Sequence, residues 1–285
     1  MVEPVRPVVE PVVTFLDTPV SMRPLARLRV PVGLIAAWYL QRVFRDGLAG
    51  RTYHDVFHRP YLGWLPDLPP PMFTAVMGVG VAAALAMAAG LATRVTTKVT
   101  FAVVVYHLLL SATHVHHNRT YLAIVLGVLA VAPCERDAVG PAWPLWLLRV
   151  ECSVVYAASG VSKLLDRDWV GGTVTWLRVV HQEAKVRGSV LPGWVADAVL
   201  DRGAHYVFAP GIVATELAIA FGPWFRRTRS WALGLAVVFH VLIELTSRVE
   251  TFSYLAVAVI LSIWLPADLR GRVAHYLRTK STQVA

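Results

Sequence analysis

The sequence contains little charge and little cysteine. Charged residues make up only 16% of its 285 residues, hydrophobic residues make up 56%, and the mean hydropathy is +0.56. Ordinary soluble domains carry about 25% charged residues, so this composition excludes a soluble globule. The two cysteines, Cys134 and Cys152, are too few for a disulfide framework, and neither belongs to a C-x-x-C pair. The first residues lack a basic segment and a cleavage site, so we expect no removable signal peptide.

Apolar stretches of near-membrane length fill most of the chain. A hydrocarbon layer ~30 Å thick requires about 20 apolar residues per helix. The pattern predicts an all-α polytopic transmembrane bundle of about eight spans, within a range of seven to nine, and leaves no room for a large soluble catalytic domain. The spans are expected at 26–44, 72–92, 97–113, 119–133, 143–164, 209–225, 230–247 and 252–266.

The basic residues indicate how the bundle is oriented and what surrounds it. They flank the apolar stretches, so the net charge of +9 favours lipid headgroups over nucleic acid as the anionic neighbour. The positive-inside rule places both the tail 1–25 and the tail 267–285 in the cytoplasm, as in a plasma-membrane protein. The transmembrane domain then covers 26–266. Its long connector 165–208 faces outward and contains a predicted amphipathic helix on the bilayer surface, which is placed to cover a site.

A lysine lies at the predicted end of the fifth span. Lys163 follows Ser159 and Gly160, which permit close helix packing, and it precedes Asp168 and Trp169, which mark the return to the interface. An amine in an apolar setting is held less readily in its charged form, so Lys163 is a candidate base or nucleophile. The alternative is a lysine whose ammonium group extends to the interface from a helix end.

A histidine cluster follows the third span. His107 and His114 share one helical face, and His116, His117 and Asn118 come directly after them. Such a cluster suits a carbonyl-bearing ligand. It also faintly resembles the histidine boxes of membrane desaturases, although those use several boxes. The third interpretation is that the histidines bind no ligand and form hydrogen bonds only with interfacial water and the backbone.

Other ionisable residues are predicted at membrane depth. Glu151 and Glu216 lie in the fifth and sixth spans, and His240 and Glu244 are four residues apart in the seventh. Buried ionisable groups are costly unless they are paired, so each one marks either a structural pair or a functional interior.

Several motifs occur in the order found in one known family. They are Gly90-Leu-Ala-Thr-Arg94, Asn118-Arg-Thr-Tyr121-Leu122, Tyr156-Ala-Ala-Ser-Gly160-Val-Ser-Lys163-Leu-Leu-Asp-Arg-Asp168-Trp169-Val-Gly171, Phe239-His240 and Phe252-Ser253-Tyr254. In this order the chain resembles the membrane domain of vitamin K-dependent gamma-carboxylases and their bacterial relatives, the horizontally transferred transmembrane (HTTM) domain. The resemblance covers about residues 26–266 and suggests a short, bacterial-type member.

The resemblance implies a mechanism and a set of site residues. In gamma-carboxylases the matching lysine deprotonates reduced vitamin K, and reaction with oxygen yields a strong base. That base removes a proton from a glutamate, carbon dioxide adds, and quinone epoxide leaves. Lys163 would be the catalytic residue, and no metal is expected. The quinone or substrate would be bound by Asn118, Tyr121, His117, His116, His114, His240 and Trp169. Supporting polar roles would fall to Glu151, Glu244, His107 and Asp168.

The chain departs from the family pattern at several points, one of which is an extra residue between Lys163 and the Asp-x-Asp-Trp stretch. Arg119 stands where the family has a histidine, so His116 or His117 would have to substitute. Ser162 stands where the animal enzymes have a second lysine. The large luminal portion of those enzymes has no counterpart here, so we expect processive carboxylation of a docked protein to need a soluble or membrane partner.

The sequence therefore predicts a membrane enzyme that uses a reduced quinone, oxygen and carbon dioxide on a small-molecule or peptide substrate, in a carboxylase reaction with an oxidoreductase half-reaction. The alternative from another class is a non-catalytic quinone- or lipid-binding membrane subunit. A weaker alternative is a histidine-metal membrane oxidase.

Overall fold

The computed structural model describes residues 6–51, 59–247 and 249–265. The predicted C-terminal tail 267–285 lies outside these residues. The described part contains thirteen α-helices and one antiparallel pair of short strands, β1 (Pro19–Ser21) and β2 (Val139–Pro141). The first half contains α1 (Arg6–Leu16), α2 (Arg23–Leu48), α3 (Pro70–Ala89), α4 (Thr93–Leu110), α5 (His117–Val131) and α6 (Trp143–Leu165). Four short helices follow, α7 (Arg167–Val170), α8 (Thr173–Val180), α9 (Glu183–Arg187) and α10 (Gly193–Leu200), and then α11 (His205–Phe221), α12 (Arg229–Thr246) and α13 (Phe252–Trp264).

Eight long helices form one bundle, and each coincides with one expected span. Helix α13 packs against α2, α5, α6 and α12, and α6 packs closely along α11. The core is apolar, with Leu25, Phe73 and Leu148 almost fully buried. Burial of such side chains stabilises the bundle by about 1.5–3 kcal/mol each when the alternative is water.

Length and composition alone qualify three of these helices to cross a membrane. They are Pro70–Ala89, His205–Trp224 and Arg229–Thr246, and two shorter apolar helices are His117–Val131 and Phe252–Trp264. Helix α2 carries several arginines and α13 is only 13 residues long, or about 20 Å at 1.5 Å per residue. The all-helical fold is therefore confirmed, with three helices that qualify as membrane spans, whereas the expected count of eight spans stays a prediction.

The bundle has two ends with different chemistry. At one, the Trp264 end, the start of α2 meets the end of α13, where the Arg27 guanidinium donates to the Ser262 and Leu265 carbonyls. At the other, the Lys163 end, the Asn118 amide at the start of α5 donates to the Val249 carbonyl between α12 and α13. Lys163 lies in the last turn of α6 at this end.

The segment α7–α10 packs over the Lys163 end. It has a small core of its own, made by Val179, Val186 and Ala196. The Lys185 ammonium donates to the Ser247 carbonyl at the end of α12, 2.5 Å away. The sequence predicted one amphipathic helix in this connector, and the structure has four short ones, of which α7 and α8 contact α11 and α9 contacts α12.

Gly172 fixes this segment against the start of α11. Its φ is +77°, and a Cβ there would lie 2.6 Å from backbone atoms of His205. Beside it, the Thr175 hydroxyl and the His205 Nδ1 are 3.0 Å apart. The close approach therefore depends on the missing side chain.

We expect Gly172→Ala to loosen the segment, because alanine meets both an unfavourable backbone conformation and a backbone clash. The left-handed conformation alone costs about 1–2 kcal/mol. Limited proteolysis within 165–208 should become faster in this variant. Gly193→Ala is the matched control, since a Cβ at Gly193 meets open space and its φ is not positive; equal protease sensitivity in the two variants would contradict the docking role.

Candidate functional site

The polar centre of the Lys163 end is an ion pair between Lys163 of α6 and Glu216 of α11. The Lys163 ammonium donates to Glu216 Oε1 and, at 2.8 Å, to the Ser159 hydroxyl, which donates to the same carboxylate oxygen at 3.1 Å. The side chains of Lys163 and Glu216 are 15% and 6% exposed. This lysine is therefore not simply extended into solvent from a helix end.

The helix geometry explains why these groups meet. Tyr156, Ser159, Gly160 and Lys163 recur at spacings of three and four on one face of α6, which is the face toward α11. A Cβ on Gly160 would lie 3.1 Å from Leu217 of α11. The bare glycine thus lets the two helices approach closely, as the sequence predicted, and the approach brings Lys163 onto Glu216.

Trp169 covers the amine from the short helix α7. The Lys163 ammonium lies 4.9 Å from the centre of the Trp169 ring, and the guanidinium of Arg178 in α8 lies 5.1 Å from it. Two cations near one indole indicate cation–π contacts at the edge of the membrane domain. The structure therefore brings the predicted residues Lys163 and Trp169 together, whereas Asp168 is exposed.

A second polar group lies deeper between α5, α6, α12 and α13, and we call it the His240 cluster. The Tyr156 hydroxyl and His240 Nε2 are 2.5 Å apart. Phe252 lies 5.7 Å from the His240 ring and 5.8 Å from the Tyr121 ring, centre to centre. The Tyr121 hydroxyl lies beside the Glu151 carboxylate. Four helices thus bring the predicted residues Tyr121, Glu151 and His240 into one group.

Several buried polar atoms of this region have no hydrogen-bond partner among the described residues. They are Tyr121 Oη, Glu151 Oε2, His240 Nδ1, Ser253 Oγ and, in the neighbouring ion pair, Glu216 Oε2. Buried polar atoms are nearly always hydrogen-bonded, to protein, water or a ligand. Tyr156 lies on the same face of α6 as Ser159 and Lys163, and its hydroxyl contacts His240, so α6 carries residues of both groups. Together these groups line a polar interior suited to a small ligand with hydroxyl or carbonyl groups.

The histidines between α4 and α5 form a separate group. His107 is buried, its Nδ1 lies 2.6 Å from the Tyr39 hydroxyl, and its ring stacks on His114 at 4.3 Å. His116 and His117 are both exposed. The contacts of His107 and His114 are with other side chains of the protein. Binding of a ligand by these four histidines therefore stays a prediction.

Asn118 and Arg119 hold the connection between α12 and α13 in place. Asn118 donates to Val249, as noted above, and the Arg119 guanidinium pairs with Glu250 at 3.2 Å. Partial burial alone would raise the pKa of the Glu250 carboxyl. The hydrogen bond from Arg119 and the positive charges of Arg119 and its neighbours outweigh this effect, so the pKa lies below its ordinary value. Arg119, which replaces the family's histidine, thus has a structural partner.

Glu244 and the predicted absence of a metal site remain to be described. Glu244 lies next to Tyr254 of α13, and its Oε1 has no hydrogen-bond partner among the described residues, so His240 pairs with Tyr156 and not with Glu244. In the described part of the chain, no group of three or more His, Cys, Asp or Glu side chains is arranged to hold a metal ion.

Sequence reasoning did not assign Glu216, Ser159 and Tyr156 to the site. Glu216 was recognised as a polar residue at membrane depth, but its partner was not. The missing signal was the pairing of α6 with α11, which are separated by residues 166–204. A lone glutamate in one apolar stretch and a lone lysine in another are a possible pair in any membrane protein, and this is the only local hint.

Comparison with known proteins agrees with this architecture. The sequence profile of the HTTM domain matches residues 18–268, which is most of the chain. No curated protein and no solved structure matches it. HTTM domains are associated with gamma-carboxylase-like membrane proteins. The matched residues include the Lys163–Glu216 pair, the His240 cluster and all eight long helices, and the chain belongs to the HTTM domain family.

Proposed function

We propose that this protein is an integral membrane enzyme in which Lys163 accepts a proton from a reduced quinone, in the manner of gamma-carboxylases. The observation that carries the proposal is the ion pair of Lys163 with Glu216, which is nearly buried and adjoins a polar interior with unpartnered groups. Charged groups are expensive at membrane depth and are usually kept there for a function.

The residues present fit a hydroquinone. Its flat apolar ring suits the aromatic side chains of Tyr121 and Phe252, and its hydroxyl groups suit the unpartnered atoms of Tyr121 and His240. When bound, a reduced quinone supplies an acidic hydroxyl group and a site for reaction with oxygen. Residues of α5, α12 and α13 would hold the ring, with Tyr156 connecting them to the amine side.

Lys163 would then accept the proton of the quinol, with Glu216, Ser159 and Trp169 in supporting roles. The Lys163 ammonium must first release a proton to water, because an ammonium group cannot accept one. The neutral lysine nitrogen then accepts the proton of the quinol, and the Glu216 carboxylate stabilises the ammonium ion that forms. The Ser159 hydroxyl, bonded to both groups, fixes their relative position. Trp169 covers the pair and limits access of water.

A non-catalytic quinone-binding subunit is the second candidate function, and the same interior supports it because holding a ring needs no proton transfer. One assay distinguishes the enzyme from the non-catalytic subunit. Purified protein given reduced vitamin K or another reduced quinone under oxygen should release quinone epoxide. Binding of the quinone without any epoxide would favour the subunit.

We further propose a plasma-membrane location, about eight spans and an outward-facing Lys163 end, based on the distribution of basic residues. Single cysteines introduced within 165–208 should react with an impermeant reagent added outside intact cells. The two native cysteines are buried and give a low background. Reaction only after the cells are opened would reverse the orientation.

A further inference from the structure

The Trp264 end of the bundle contains two arginines without an acidic partner. The Arg149 guanidinium lies 4.9 Å from the centre of the Trp264 ring and 5.3 Å from that of Trp146, and the Arg229 guanidinium lies 5.4 Å from the Trp264 ring. Neither arginine forms an ion pair with a carboxylate among residues 6–51, 59–247 and 249–265. The positive charge of Arg229 repels that of Arg149.

Most donors of the two arginines remain available. Arg149 donates to the Ile263 carbonyl at 3.1 Å, and Arg229 donates to the Pro223 carbonyl at 2.8 Å. A guanidinium group has five N–H donors, arranged in a plane that suits phosphate. Two half-buried guanidinium groups beside one indole ring, whose contacts within the described chain are with carbonyls and indole rings, are complementary to an anion.

An apolar groove begins beside these arginines. It has a volume of about 350 Å³ and lies between α6 and α11, lined by Val150, Ser153, Val154, Ala157, Phe221 and Trp224. Trp224 connects the groove to the arginines, since its ring lies 5.0 Å from the Trp264 ring and its Nε1 donates to the Ser153 hydroxyl at 2.8 Å. Phe221 and Val154 are more than half exposed, so the groove opens to the surroundings of the helices.

We infer that this end binds one anionic phospholipid, with its phosphate at Arg149 and Arg229 and an acyl chain in the groove. Charge complementarity specifies the headgroup, and the apolar lining specifies the chain. Basic pockets between transmembrane helices are known to take such headgroups. The site is independent of the proposed chemistry at Lys163, because it lies at the opposite end of the bundle.

Native mass spectrometry of the protein in a neutral detergent tests the inference. Phosphatidylglycerol and phosphatidylcholine with identical acyl chains are added separately, and glycerol phosphate is added as a headgroup without chains. We expect the wild type to retain one phosphatidylglycerol in preference to phosphatidylcholine and to bind no glycerol phosphate. Equal retention of both lipids, or binding of glycerol phosphate as strong as that of the lipid, would overturn it.

Matched variants locate the site. Arg149→Gln/Arg229→Gln should lose roughly fivefold preference per arginine, whereas Arg226→Gln/Arg227→Gln, which removes the same charge from exposed positions just before α12, should keep it. Ala157→Phe fills the groove and should reduce retention of both lipids. If the first double variant does not fold, Arg229→Gln alone replaces it. Unchanged preference in Arg149→Gln/Arg229→Gln, or in Arg229→Gln alone, would refute the site, and Lys163→Met should leave the preference as in the wild type.

Discussion

Lys163→Met is expected to lower epoxide formation from reduced quinone by a factor of roughly 10²–10⁴, which is the usual contribution of a positioned proton acceptor. Methionine keeps much of the length and apolar volume of the lysine but accepts no proton from the quinol. The change leaves Glu216 without its cation, so the comparison must use folded protein, selected by gel filtration and thermal stability. The rate of epoxide formation per mole of folded protein is the quantity to compare.

Lys185→Met is the matched control. Lys185 also lies at the Lys163 end and is exposed, and it donates to the Ser247 carbonyl. The Lys185→Met variant loses one positive charge from the same end and keeps the buried Lys163–Glu216 pair. Its rate of epoxide formation should therefore remain near that of the wild type. If the two variants lose activity equally, the local charge matters and Lys163 has no special role.

Glu216→Ala is expected to destabilise the protein by about 3–5 kcal/mol, because it leaves a nearly buried ammonium ion without its counter-charge. The double variant Lys163→Met/Glu216→Leu should recover most of this loss, since replacing both charges by apolar groups removes the cost of burying them. Thermal unfolding in detergent of the wild type, Lys163→Met, Glu216→Leu and Lys163→Met/Glu216→Leu gives the coupling energy of the pair.

The exposed ion pair of Arg187 and Glu183 provides the comparison. Its side chains are each 52% exposed, and such pairs contribute about 0–1 kcal/mol. Glu183→Ala should therefore change stability little. A Glu216→Ala effect as small as that of Glu183→Ala would show that the Lys163–Glu216 pair is hydrated and not part of a closed interior.

The long helices were predictable because apolar runs of this length have a direct physical meaning in a bilayer. Gly160 was correctly interpreted as a point of close packing. The four short helices of 165–208 were not separable, because each is too short to give a clear periodic signal.

The site was predictable only in part. Lys163, in the last turn of α6, and Trp169, in α7, are near in sequence, so both lie at the same end of the bundle. Glu216 and Tyr156 acquire their meaning from contacts between helices, and the order of apolar stretches along a chain does not say which of them pack together. The hydrogen bond of His240 to Tyr156, instead of a contact with Glu244, is one consequence.

The most direct test of the central claim is an experimental structure of the protein with a reduced quinone, or a stable analogue, bound. The proposal predicts that the aromatic ring lies against Tyr121 and Phe252, with one ring oxygen within hydrogen-bonding reach of the Lys163 amine, directly or through one water molecule. A ring bound outside the bundle, or one whose oxygens are distant from Lys163, would contradict the assignment of this lysine as the proton acceptor.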